Sequence, residues 1–211
     1  MLQIPYNRSL RSSSIPPYAV HNNTARTCNC TNMNPFKLGE VVLRDATLQD
    51  IPRITEIYNY YVVKPGDVTT FDEEALSESA LETRYRAITE KSKLPYIVAY
   101  LKEAGNVVGY AYARPYGERR SYRYSVENSV YISHEHHRMG LGMMLMKELM
   151  ARLKNCGIKQ IVSVLGTEED NPASVNLHSR LGFKKAALFK KIGFKHGRWI
   201  DRLHMHASLD D

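Results

Sequence analysis

The stretch His136-His137-Arg138-Met139-Gly140-Leu141-Gly142 constrains this chain more than any other. It follows an apolar, strand-like run, Ser129–Ile132, and leads into a helix-like run from Met143 to Asn155. A strand, a glycine-bearing turn and a helix N-terminus, in that order, present free backbone N–H groups to phosphate oxygens. The glycines suit that reading, because a Cβ would hold a pyrophosphate away from the main chain. Arg138 and the histidines flank the loop with cationic groups. Two familiar phosphate loops are excluded. The Gly-Lys-Ser/Thr ending of a Walker loop is missing, and Leu145 stands where a dinucleotide fingerprint needs its third glycine.

Around this loop, strand and helix patterns alternate. Val41–Arg44 reads as a short strand, and Asp50-Ile51-Pro52 opens a helix with a cap-like Asp and a proline in the first turn. Lys64-Pro65-Gly66-Asp67 breaks it. Glu78–Lys91 is a charged amphipathic helix, and Tyr96–Leu101 with Val107–Tyr112 forms a hairpin. After the loop and helix 140–155 come a strand at Ile161–Leu165, a helix at Pro172–Arg180 and two closing strands, joined by a turn at Gly197-Arg198-Trp199. The pattern predicts an α/β sandwich on a mixed sheet. Many of the 14 tyrosines fall between Tyr96 and Tyr131, and strand packing accounts for most of them.

A chain of 211 residues suits one domain with a substantial core. Residues 1–37, rich in Ser, Asn, Thr and Pro, read as a disordered basic tail, and 38–211 as the folded domain. Residues 1–39 carry +4 of the formal charge of +7 and no acid. An organelle-targeting role for that segment is the alternative to a cytoplasmic protein, although Pro16-Pro17 would interrupt a targeting helix. The remaining surplus suits an anionic cofactor, and without a basic run interleaved with aromatics there is no case for nucleic acid. No apolar run approaches a membrane span. Cys28, Cys30 and Cys156 are an odd number with no zinc-site spacing, which implies a reducing compartment and no metal.

Beyond the helix and one further strand lies Asn171-x-x-Ser174-x-x-Leu177-His178-x-x-x-Gly182-Phe183. With the glycine loop, this resembles the GCN5-related N-acetyltransferase superfamily, where a Gln/Arg-x-x-Gly-x-Gly/Ala loop holds the acetyl-CoA pyrophosphate. His137 stands in the slot that usually holds Gln or Arg. Two more stretches, Tyr122–Ile132 and Gly193–Asp201, resemble the phosphinothricin and methionine sulfoximine N-acetyltransferases. The likeness runs from about Val41 to Ala207, roughly four-fifths of the chain. It implies a GNAT-type acyl-CoA N-acyltransferase fold, with a mixed, mostly antiparallel sheet flanked by helices, and a homodimer. It also implies an enzyme moving acetyl from acetyl-CoA to the amine of a small amino acid or analogue. Val130, Tyr131, Ile132, Arg138, Met139, Gly140, Leu141, Gly142 and Asn171 would hold the acetyl-CoA.

Such a transfer needs a base for the acceptor ammonium and donors for developing negative charge. Glu127, just before the strand entering the loop, is the candidate base, with Val126 and Val130 as apolar neighbours able to raise its pKa. His178 can give or take a proton near neutrality. The resemblance puts it beside Glu127 in the active site, and which of them is base or acid stays open. Arg119 and Tyr122 fall on substrate-binding positions by the same resemblance, and a guanidinium suits an acidic acceptor. Arg120 and Arg123 are near enough in sequence to take the role instead. Another amine or protein acceptor, or a CoA-binding regulator without turnover, are the competing readings.

Overall fold

The computed structural model describes residues 40–210. The proposed tail, residues 1–37, lies outside them. Seven strands form one sheet in the order β1-β2-β3-β4-β5-β7-β6. They are β1 (Val41–Asp45), β2 (Tyr96–Leu101), β3 (Asn106–Pro115), β4 (Ser125–Ile132), β5 (Gln160–Leu165), β6 (Lys184–Lys195) and β7 (Arg198–Ser208). Every pairing is antiparallel except that of β4 with β5. The four α-helices among the described residues are α1 (Ile51–Val63), α2 (Glu78–Arg86), α3 (Leu141–Asn155) and α4 (Pro172–Arg180).

Alternation along the strands sorts their side chains onto two faces. On one face Tyr131 packs edge-on against Tyr58 of α1, and Tyr96 against Tyr85 of α2. Tyr96, Tyr110, Tyr112 and Tyr131 stack along this face, so most of the tyrosine-rich stretch is packing. The opposite face is covered by α3, whose Leu145, Met146, Leu149 and Leu153 are fully buried, and by α4. The π-turn Ala87–Lys91 extends α2, accounting for the long charged pattern read there.

Two local readings are corrected. Asp50 does not cap α1. Its carboxylate accepts from the Thr47 N–H at 2.8 Å, closing the preceding 3-10 turn, and holds Arg44 through two bonds of 2.7 Å. The final hairpin turns at His196-Gly197, both left-handed (φ 52° and 74°), which suits its twist. Arg198 and Trp199 already belong to β7.

Gly109 sits beside the irregularity in the β2–β3 ladder. A Cβ there would lie 2.8 Å from Ile132 Cδ1 and 3.1 Å from the Tyr131 carbonyl oxygen. Backbone cannot yield as a side-chain tip can, so Gly109→Val should destabilise the domain by about 1–3 kcal/mol. The midpoint of urea denaturation measures it, and an unchanged midpoint would contradict this packing.

Candidate active site

β4 and β5 pair only from Ser125↔Gln160 to Asn128↔Ser163. Beyond that point they part, and Ser129–Ile132 runs unpaired on its β5 side. The gap is a slot lined by Asn128, Ser129, Val130, Tyr131, Val164, Leu165, Gly166, Asn171, Ser174 and His178, with Thr69 at its other mouth. Because Thr69 belongs to the segment covering the α1 face while Ser174 and His178 belong to α4, the slot passes through the sheet.

A buried polar chain stands at the fork. The Ser163 hydroxyl donates to Asn128 Oδ1, Asn128 Nδ2 donates to His178 Nε2 at 3.1 Å, and His178 Nδ1 donates to the Ser174 carbonyl at 2.8 Å. Only that tautomer satisfies both ring nitrogens, since the amide nitrogen can only donate. Burial pushes the His178 pKa down, against the opposing pull of the Ser174 carbonyl. The imidazole is therefore neutral, and its edge contact with Phe183 fixes the ring.

At the head of α3, Gly140 is the N-cap with φ 79°, and no side chain caps the helix. The first intrahelical bond runs from the Met144 N–H to the Gly140 carbonyl, leaving the N–H groups of Leu141, Gly142 and Met143 free of helical partners. There is no acid in the first turn. This end can hold a phosphate group. Arg138 takes a left-handed φ of 62°. His137 Nε2 donates to the Tyr61 hydroxyl at 2.8 Å while that hydroxyl donates to the Ile132 carbonyl, so His137 ties the loop to α1. Gly142 has a second role, as its Cβ would come within 3.2 Å of Leu177 Cδ2 on α4. Asn171 lines the slot and caps α4, accepting from the Ser174 N–H at 3.1 Å.

Glu127 lies within β4 rather than before it. Val126 and Val130 point to the opposite face, so they are not its apolar neighbours. Its partner is Arg114, directly across the β3–β4 ladder, with Nη2 2.8 Å from Oε1. Glu127 and His178 are not brought into contact: Glu127 faces α1 and α2, while His178 meets the adjacent Asn128 from the α4 side. Arg119 and Tyr122 lie on an exposed loop, where Tyr122 packs edge-on against Tyr116, and neither reaches Glu127. Arg114 was legible only if β3 was extended to Pro115, since the register then sets it opposite Glu127. Nothing in the spacing signalled Thr69. Among the described residues no group of three or more His, Cys, Asp or Glu gathers as metal ligands would, and no helix is long and apolar enough to cross a membrane.

A model of the acetyltransferase (GNAT) family matches residues 54–183. The chain belongs to that family. A phosphinothricin N-acetyltransferase of Alcaligenes faecalis is 34% identical over 98% of this chain and 96% of its own length. An L-methionine sulfoximine/L-methionine sulfone acetyltransferase of Salmonella typhimurium is 35% identical, covering 81% of this chain and 96% of the relative. The solved GNAT superfamily phosphinothricin acetyltransferase of Sinorhizobium meliloti, a complex with acetyl-CoA, has a TM-score of 0.74 at 40% identity over 80% of this chain and 88% of that one. Family membership and the mixed, mostly antiparallel sheet expected from the motifs are thereby shown, and the chain is an acetyltransferase.

The neutral His178 has a consequence for this GNAT domain. Its pKa is depressed on folding, so the unfolded chain binds a proton the folded one refuses. That stability is complete above the unfolded value of about 6.5 and is lost as pH falls towards the folded value. His178→Gln should therefore flatten the acid-side decline of stability by up to ~1.4 kcal/mol per pH unit. Denaturation midpoints between about pH 5 and 7 read the slope, and an unaltered slope would mean that His178 already titrates freely.

Proposed function

We propose that this chain moves an acetyl group from acetyl-CoA to the amine of a small amino acid or amino-acid analogue. The observation that carries it is the slot through the sheet, with uncapped helix N–H groups beyond one mouth and a carboxylate on the other face. Free N–H groups at Arg138, Met139, Gly140, Leu141 and Gly142 would hold the pyrophosphate. The β4 edge at Val130, Tyr131 and Ile132, with Asn171, would hold the pantetheine arm. Bound there, acetyl-CoA would supply an activated acetyl group.

Glu127 would take the proton of the acceptor ammonium, directly or through water, and Arg114 holds the carboxylate in place. His178 would act by fixing Asn128, and through it the fork, because its one N–H is already held by the Ser174 carbonyl. Arg119 and Tyr122 would guide the acceptor at the rim. That loop also carries Arg120 and Arg123, and this charge disfavours cationic acceptors such as polyamines. The relatives' names support an amino-acid-like acceptor over a protein. Exposed Leu188, Phe194 and Trp199, on the face of the β6–β7 hairpin away from Arg202, support a homodimer through that face. The odd cysteine count supports the cytoplasm as its compartment.

Purified protein with acetyl-CoA and a panel of amino acids, amines and peptides, followed by thiol release, tests the proposal. Release with amino-acid acceptors is expected. Tight coenzyme A binding without release from any acceptor would make the chain a regulator. Glu127→Gln should lower kcat by roughly 100-fold or more while leaving coenzyme A affinity unchanged. Unaltered turnover in that variant would take Glu127 out of the reaction.

A further inference from the structure

Arg202 of β7 is only 5% exposed, yet its Nη1 is a buried donor without a partner. A guanidinium stays charged at any physiological pH, and a buried charge without a counter-ion is costly. The ring of Phe71 lies 3.7 Å from its central carbon, covering one side of the plane. Stacking leaves the N–H edge free. The groups whose fields reach Arg202, after burial itself, are Tyr131, Asp170, Asp67 and Glu127. Each acid among them is committed elsewhere. Asp170 pairs with Arg198 at 2.9 Å, Asp67 accepts from the Thr69 N–H at 2.8 Å and meets Lys64, and Glu127 holds Arg114.

Strand register gives the position. Glu127 is level with Val162, and Val162 with His206. The β5–β7 ladder is regular from there, so His206, His204 and Arg202 lie on the face of Glu127. Arg202 is thus across the slot from Tyr131, on the side opposite α3 and α4. The head of α3 cannot supply its anion, because that end opens on the other face. The segment bearing Phe71 is fixed over the hairpin. Lys195 Nζ donates to the Thr70 carbonyl at 2.9 Å, and a Cβ on Gly193 would strike the Phe71 ring at 2.3 Å. The guanidinium is thus held under a fixed ring with Nη1 left unpaired.

We propose that Arg202 is the anion-binding group of the acceptor site and takes the α-carboxylate of an amino-acid acceptor; this rests on the acceptor reading above. A carboxylate matches the guanidinium edge with two parallel N–H···O bonds. It also supplies the missing counter-ion. The amine attached one carbon away is then held on the Glu127 face, beside the slot. Arg202 is a specificity residue: it selects for the carboxylate and takes no part in proton transfer.

Calorimetric binding of L-methionine sulfone and of its carboxamide, with free coenzyme A present so that no transfer occurs, tests this. Wild-type protein should bind the carboxylate form roughly 10- to 100-fold tighter than the carboxamide. Arg202→Leu should abolish that preference, keep the carboxamide affinity, and melt no lower than wild type, because an unpaired buried charge has been removed. Arg202→Lys should retain part of the preference. A preference that survives in Arg202→Leu overturns the assignment. So does a variant that melts lower and loses both ligands, which would make the guanidinium a packing element on Phe71. Wild-type protein that releases thiol with amino acids yet binds both forms equally sinks the assignment alone. If it neither binds nor acetylates any amino acid, the acceptor reading falls with it.

Discussion

Everything proposed for this molecule depends on two parallel strands that stop pairing. β4 and β5 separate after Asn128 and Ser163, and the last rung is also where the buried side chains of Asn128, Ser163 and His178 join by hydrogen bonds. Unpaired main chain inside a sheet would normally draw the strands together again, because buried N–H and C=O groups need partners. The side-chain chain resists that closure. It fills the fork with polar atoms that satisfy one another, and the Ser174 carbonyl ties its outer end to α4. A fully satisfied buried network favours one arrangement, and here the arrangement is an open slot.

The second constraint is alternation. Glu127 and Asn128 are neighbours in sequence, yet a strand sends them to opposite faces. The same strand therefore serves a structural network on the α4 side and a carboxylate on the side of α1 and α2. Arg114 and Arg202 reach the Glu127 face from β3 and β7, strands on either side of the β4–β5 pair. Both cationic side chains stand on the face where an acidic acceptor would sit, opposite the one covered by α3. In the proposed reading, two negatively charged molecules would thus approach from separate sides.

Much of this was legible in the chain. The order of elements, the loop before α3, and the helix α4 follow from glycine placement, helix periodicity and the proline at position 172. What could not be read was which side chains meet across strands. Glu127 looked like a residue among valines because sequence proximity suggests contact, whereas the pleat removes it. Arg114 is thirteen positions away from Glu127 and touches it; Arg119 is nearer and does not. His178 looked like a titrating group by residue type, and only its three-dimensional surroundings show two nitrogens already engaged. Arg202, Phe71 and Thr69 come together through a long-range fold that no local pattern announces.

Gly142 has a wider consequence than its place in the loop suggests. Its missing side chain lets Leu177 rest directly on the first turn of α3, and Leu177 immediately precedes His178. The helix proposed to receive phosphate and the helix that steadies the fork are thus in direct contact. A bulky residue at 142 would press on Leu177 and so disturb the loop and the seat of α4 together.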